Sequence, residues 1–404
     1  MPVLSFAPLP SECFFDEDLH IVVQGVCAGQ QVRVQAASAG ANGNVLLSEA
    51  VFASTGDTVD LRQCAPAQGS YTGVDDMGLF WSRTPRPEES VSFPVPIDAD
   101  PMVITLCAQV DDGPAVSHAI RRLYFDDKVL RRKLRDEGLV AQVFEPAAPG
   151  IYPALLVLGG SGGGFGWCAE AAALLARHGF VTMALAYFGL EHLPASLECV
   201  PLEYFGVARE WLASHEKVDA ERIGVMGASR GGELALLLAS RQPFRSVVAY
   251  SPSGLVGSAY PGTGRSAWTW NGRELPYDEF LLPPGPNSHL SRGCIPVERI
   301  RGPVLLVTGK DDKVWPTSEL TACALRRWEA NAFPHEIRHL AYEDAGHSLG
   351  WPHVMTTVMD FRHPVSGASL MLGGTPAGTA YARRHSWRQV MAFLRHSLAV
   401  PQTI

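Results

Sequence analysis

The run GVMGASRGGELAL, residues 224–236, sets a lone serine, Ser229, between Gly227 and Gly231. An apolar, strand-like segment, RIGVMG, leads into it, and the helix-forming segment GGELALLLAS follows. A strand that turns at once into a helix needs small residues at the turn, and the pattern G-x-S-x-G lifts a serine hydroxyl to the edge of a sheet. The helix start behind it adds backbone N–H groups and the positive end of a dipole. The bland alternative is a pair of glycines that only ease the turn. Loops elsewhere in the chain decide between the two.

Outward from this point the chain alternates. VAQVFEP, ALLVLGG, VTMALAY, SVVAYS, PVLLVTG and EIRHLAY read as strands, and AEAAALLARHG, LEYFGVAREWLASH and SELTACALRRWEA as helices between them. Continuous apolar strands alternating with amphipathic helices predict a mostly parallel sheet covered on both faces, an α/β fold over residues 139–404. Residues 1 to about 125 differ. Short apolar runs (LHIVVQGV, QQVRVQAAS, AVFAST, PMVITLCAQV) separated by Gly, Asn, Asp and Pro predict a small all-β sandwich. Between them DDKVLRRKLRDEG, residues 126–138, reads as a solvated connector because its charges alternate in sign. Residues 251–296 break the rhythm with Pro, Gly, Ser and aromatics, and are read as a lid or pocket wall, with Trp268, Trp270 and Phe280 as candidate pocket residues.

A serine hydroxyl is a poor nucleophile until a base removes its proton. In an α/β sheet of this kind the acid and then the histidine follow the serine in chain order, each after a later strand. PVLLVTG is followed by Lys310-Asp311-Asp312, and EIRHLAY by EDAGHSLG with His347. Asp312 is preferred to Asp311 as the acid. His347 is preferred to His335, His339 and His353, which fall before, inside or well beyond the strand end. The glycine-rich loop in LLVLGGSGGGFG, residues 155–166, offers backbone N–H groups for a developing oxyanion, with Ser161 or Gly162 supplying one donor and Arg230 the other. Read as a phosphate cradle, that loop lacks both a GK[ST] ending and a G-x-G-x-x-G with its acidic partner. No HExxH or other metal-ligand spacing occurs, so neither a metal nor a cofactor is expected.

Composition narrows the class. With 47% apolar and 18% charged residues over 404 positions, the chain is globular and long enough for two domains. A net charge of −8 without a basic tract argues against a nucleic-acid partner. No apolar run approaches the roughly 18–20 residues that span a bilayer. The N-terminus lacks a basic leader, the ending VPQTI is no peroxisomal address, and eight scattered cysteines read as buried free thiols, so a cytoplasmic location is expected.

The ordered matches go further than G-x-S-x-G. FFDEDLHIVVQGV, SEAVFAS and GSYTGVDDMGLFWS, then LGGSGGG, HGFVTMALAYFG, LEYFGVAREWL, GASRGGELAL, IPVERIRGPVLLVTGKDD with Trp315, and AGH resemble the acyl-CoA thioesterase and bile acid-CoA:amino acid N-acyltransferase family over nearly the whole chain. The tail LGGTPAGTAYARRHSWRQVMAFLRHSL keeps that family's Gly-Gly-x-Pro, then alanines and a tryptophan before the last helix. The resemblance implies an immunoglobulin-like N-terminal domain on an α/β-hydrolase domain. It also implies a Ser/Cys–Asp–His triad that falls here on Ser229, Asp312 and His347, acting on an acyl-CoA or acyl-carrier thioester. The N-acyltransferase branch carries cysteine as nucleophile, so serine leans toward water as acceptor; transfer to an amine or hydroxyl stays open. Arg230 stands where the family commonly has lysine.

Overall fold

The computed structural model describes residues 3–40, 43–86, 99–279 and 292–399. At its centre is an eight-stranded sheet: β1 (Val129–Leu134), β2 (Val140–Pro146), β3 (Tyr152–Leu158), β4 (Val181–Ala186), β5 (Val218–Ala228), β6 (Val247–Tyr250), β7 (Val304–Gly309) and β8 (Ile337–Tyr342). Their order across the sheet is β1-β2-β4-β3-β5-β6-β7-β8. The β1–β2 and β2–β4 pairs are antiparallel. Every pair from β4 to β8 is parallel. This is the α/β-hydrolase sheet.

Alternate residues of β3 build two different cores. Leu155 and Val157 join Leu174 of α1 (Cys168–Arg177) and Trp387 and Phe393 of α5 (Pro376–Ser397). Leu156 and Leu158 join Phe205 of α2 (Glu203–Ser214), Leu234 of α3 (Arg230–Ala239) and Ala324 of α4 (Thr317–Ala330). A strand apolar on both faces is what a sheet sandwiched between helices demands. The register aligns the strand ends: Leu158 pairs with Gly227, and Ala228 with Tyr250. The loops after β3, β5 and β6 therefore leave from one edge, at the point where the strand order reverses, which is where open α/β sheets bind ligands.

The stretch read as a connector is in part a strand. Val129–Leu134 pairs with β2 as the sheet's edge, with Val129 and Leu134 buried and exposed charge between them. Charged side chains on an edge strand discourage pairing with other chains, so one charge pattern suits both a linker and a protected edge. Trp387, expected before the last helix, lies within it; Pro376 opens α5 at its first turn, where a missing N–H costs nothing.

The described residues between 5 and 123 form two further sheets around their own core. A seven-stranded sheet includes Gln31–Ala39, Val45–Ala53, Met102–Val110 and Val116–Leu123, and a three-stranded sheet holds Ser5–Phe6, Val22–Gln24 and Thr58–Asp60. Val32, Val34 and Ala36 point inward at period two and meet Val23 and Val59 from the smaller sheet. The acidic segment DED, residues 16–18, ties this module to the hydrolase sheet's helices. Asp16 lies 2.6 Å from His178, 3.4 Å from Arg177 and accepts from the Trp387 indole at 3.2 Å. Asp18 meets Arg384 at 2.8 Å, His353 at 2.7 Å and also Arg388. Burial alone would raise the Asp16 carboxyl, but His178 and Arg177 outweigh it and hold it below the usual range.

All eight cysteines are free, and three of them (Cys13, Cys168, Cys323) are buried; Cys27 is exposed, against the expectation of burial. Among the described residues no helix is long and apolar enough to cross a membrane.

Candidate active site

Ser229 occupies the single position between β5 and α3, with φ 57° and ψ −122°. A non-glycine residue there is strained, and such strain persists only where the surroundings over-determine it. The flanking glycines supply those surroundings by contact. A Cβ on Gly227 would run into the Gly231 carbonyl, and one on Gly231 into the Gly159 and Leu158 carbonyls at the end of β3. The Ser229 N–H donates to the Tyr250 carbonyl at 2.9 Å, and its carbonyl accepts from Gly232 and Glu233 at 2.9 and 3.0 Å. The glycine fence thus packs the first turn of α3 against the tip of β3.

Ser229 Oγ lies 2.9 Å from His347 Nε2, and His347 Nδ1 lies 2.7 Å from Asp312 Oδ2. The Asp312 side chain is 2% exposed. Its Oδ1 accepts from the Val314 and Trp315 N–H groups at 2.9 and 3.3 Å, and its Oδ2 also accepts from the Thr317 hydroxyl. Asp311 points elsewhere, toward Lys313 at 2.5 Å and the Gly374 N–H at 2.8 Å, with its side chain 43% exposed. The hydrogen bond from Lys313, with that from the Gly374 N–H, holds the Asp311 carboxyl below the usual range. The Trp315 ring stands edge-on to the imidazole, centroids 5.8 Å apart.

The Gly-Gly pair of the tail motif closes this arrangement. Gly373 bridges to Asp312 and Gly374 to Ala345, while His347 N–H donates to the Leu372 carbonyl at 2.8 Å. Both glycines have φ 73°, and a Cβ on Gly373 would strike the Asp311 carbonyl, one on Gly374 the Gly346 amide. The motif was visible in the sequence, but its role as a clasp between the acid loop and the histidine loop was not.

The glycine-rich loop faces the serine. A Cβ on Gly160 would sit 3.2 Å from that of Ser229, so Gly160, which spacing did not single out, is the loop residue against Ser229. Ser161 and Gly162 follow it, and among the described residues their N–H groups meet no acceptor. Tyr187 holds the loop by donating to the Gly159 carbonyl at 2.6 Å, and Gly164 N–H donates to Phe188 at 3.0 Å. Arg230 N–H opens α3, in the first turn whose N–H groups have no partner within a helix. Among the described residues no group of three or more His, Cys, Asp or Glu is placed to hold a metal ion.

The three aromatic pocket candidates fare differently. Trp268 is fully buried, packed against Tyr187 and Phe205, and donates its indole N–H to Glu233 Oε1 at 2.8 Å. It is a core residue, because its ring completes the cluster beneath α3. Trp270 lies under the Arg241 guanidinium, beyond the far end of α3. It packs, partly buried, against the core cluster beneath that helix. Phe280 lies outside the described residues.

Residues 251–279 are tied down, and Glu233 is the knot. Its carboxylate accepts from the Gly257 N–H at 3.0 Å and from Trp268, and pairs with Arg230 at 2.9 Å; Arg230 also donates to the Ser258 carbonyl at 2.9 Å. Burial holds the Glu233 carboxyl above the usual range, with the Arg230 guanidinium offsetting only part of that rise. Glu233→Ala, which leaves the Arg230 charge buried beside an empty volume, is expected to lose about 3–5 kcal/mol. Urea melts would show it, and an unchanged midpoint would refute this bracing role.

Comparison with known proteins completes the picture. Residues 16–136 match the acyl-CoA thioester hydrolase/BAAT N-terminal region, and residues 200–259 and 282–400 match the BAAT/acyl-CoA thioester hydrolase C terminal family. Acyl-coenzyme A thioesterase 2, mitochondrial, of Rattus norvegicus is 30% identical over 98% of this chain and 89% of its own. Bile acid-CoA:amino acid N-acyltransferase of Mus musculus is 30% identical over 96% of this chain and 97% of its own. Among solved structures, a putative dienelactone hydrolase from Klebsiella pneumoniae is 16% identical with a TM-score of 0.45, covering 66% of this chain and 97% of its own.

Proposed function

This chain belongs to the acyl-CoA thioester hydrolase and bile acid-CoA:amino acid N-acyltransferase family, and from that premise we propose that it cleaves acyl thioesters of the coenzyme A type through an acyl group carried on Ser229. The observation that carries this reading is the unbroken line from Ser229 Oγ through the His347 imidazole to the buried Asp312 carboxylate, at 2.9 and 2.7 Å.

In this mechanism His347 Nε2 takes the Ser229 proton as Oγ bonds to the thioester carbonyl carbon. The carbonyl electron pair moves onto oxygen, and the resulting oxyanion is met by the N–H of Arg230 and those of Ser161 or Gly162. Asp312 keeps the imidazole proton on Nδ1 and stabilises the imidazolium. When the oxyanion collapses the C–S bond breaks, and the thiolate leaves with the proton held by His347. Water then enters and gives a proton to His347 as its oxygen bonds to the acyl carbon. When this second oxyanion collapses the C–Oγ bond breaks, His347 returns the proton to Ser229 Oγ, and the free acid leaves. Residues 1–125 serve as a packing partner for the hydrolase domain, a role supported by the bonds of Asp16 and Asp18 to Arg177, Arg384 and Trp387.

The second reading is transfer of the acyl group to an amine or hydroxyl, favoured by the 30% identity to an N-acyltransferase. Mass spectrometry of products separates the two. With an acyl-CoA panel of varied chain length, hydrolysis predicts free acid and free thiol in equal amounts, unchanged when an amino acid or an alcohol is added. Conjugate formed at the expense of free acid would make the protein a transferase. No thiol release from any member of the panel would overturn both readings.

A further inference from the structure

His363 is 3% exposed and takes no part in the mechanism above. Its Nε2 is 2.9 Å from Ser161 Oγ. On its other side Nδ1 receives two backbone N–H groups, those of Val365 at 3.2 Å and Ser366 at 3.3 Å. An imidazole nitrogen that accepts from N–H donors carries no proton, so the ring's single hydrogen sits on Nε2 and is donated to Ser161. Burial pushes the His363 pKa down to about 4, which keeps the ring neutral over the working range.

The ring is clamped in place. Tyr260 meets it edge-on with centroids 4.7 Å apart, and the Tyr260 hydroxyl is 2.8 Å from Ser366 Oγ. His363 N–H donates to Ala368 at 2.8 Å, closing a hairpin between Asp360–Arg362 and Ser369–Met371. That hairpin runs on into Leu372–Gly374, which clasps the acid and histidine loops. The hairpin whose turn carries His363 is thus continuous with the clasp, and its Pro364 would lie 3.5 Å from a Cβ on Gly162.

A serine hydroxyl that accepts one hydrogen bond still has its own hydrogen to give. Ser161 follows Gly160, the residue that touches Ser229. We propose that the Ser161 hydroxyl is a side-chain donor to the oxyanion, added to the backbone N–H groups, and that His363 is the positioning residue that aims it. This inference rests on the acyl-serine reading and adds a catalytic group to it. A donor aimed in advance at where charge develops needs no reorganisation when it acts, which is why a buried, neutral, single-tautomer histidine suits the task.

The test compares Ser161→Ala, Ser161→Thr, His363→Phe and the Ser161→Ala/His363→Phe double variant on one acyl-CoA, with Ser229→Ala as reference. Ser161→Ala is expected to lower kcat by about 10²-fold, the scale for one oxyanion donor, with KM nearly unchanged. Its affinity for an alkyl trifluoromethyl ketone, whose serine adduct carries an oxyanion in the same place, falls by a similar factor. Ser161→Thr restores the hydroxyl and most of the rate. His363→Phe loses activity, and in the Ser161→Ala background it costs nothing further, because its effect passes through that hydroxyl. Unchanged kcat and ketone affinity in Ser161→Ala would overturn the proposal while leaving Ser229 in place, as would losses that multiply in the double variant. Should His363→Phe fail to fold, the alanine and threonine variants at Ser161 carry the test alone. Turnover surviving in Ser229→Ala would instead sink the acyl-serine reading beneath it.

Discussion

Ser229→Ala is expected to lower kcat on acyl-CoA substrates by about 10⁶-fold, the scale seen when a serine nucleophile is removed from a triad. The size follows from the absence of a substitute. Water held beside His347 would have to attack without prior covalent capture, and the donors around the glycine loop would then stabilise a different transition state. The fold should not notice. Ser229 Oγ packs against no core and bonds only to His347 among the described residues, while the backbone strain at φ 57° is the same for alanine. Stability is therefore expected to stay within about 0.5 kcal/mol of the parent, as for substitutions away from packing. The paired measurements are thiol release and a urea melt, with intact-protein mass spectrometry to see whether the acyl adduct on the parent disappears. Thiol release persisting within tenfold of the parent would move the nucleophile elsewhere.

How much of this was legible in the sequence depends on distance along the chain. The elbow was legible because strand, turn and helix are contiguous there, and every physical demand falls within GVMGASRGGELAL. The glycines at 227 and 231 looked like conformational hinges; their contacts show them to be clearances for carbonyls that arrive from β3 and from α3 itself. His347 was legible because it falls where a strand ends. His363 was not, since nothing local distinguishes it among 13 histidines and its partner Ser161 is 202 positions away. Trp268 misled for a related reason. Its aromatic, loop-like surroundings suggested a pocket, and only the fold brings Glu233, Tyr187 and Phe205 around it. The tie made by the DED segment at 16–18 was not legible locally, because the arginines that meet Asp18 lie more than 360 residues later.

Asp312→Asn is expected to lower kcat by about 10⁴-fold with little change in KM, and it decides between neighbouring carboxylates that spacing alone could not separate. Asparagine fills the same volume, and its oxygen in the Oδ1 position can still accept from the Val314 and Trp315 N–H groups. Satisfying them turns the amide NH₂ toward His347 Nδ1. The imidazole proton is then driven to Nε2, the atom that must be empty to receive the Ser229 proton, so the base is present in the wrong tautomer. Because the carboxylate's other partners are a threonine hydroxyl and backbone N–H groups, the loop itself should hold. Asp311→Asn tests a different bond. It weakens contacts to Lys313 and Gly374 at a half-exposed site, worth about 1 kcal/mol of stability, and leaves the imidazole untouched. Its activity should remain within about tenfold of the parent, since only the clasp at Gly374 loosens. Steady-state kinetics on the two variants, with urea melts alongside, separate the roles. A dead Asp311→Asn beside an active Asp312→Asn would transfer the acid to Asp311 and break the line from Ser229 to Asp312 on which the mechanism stands.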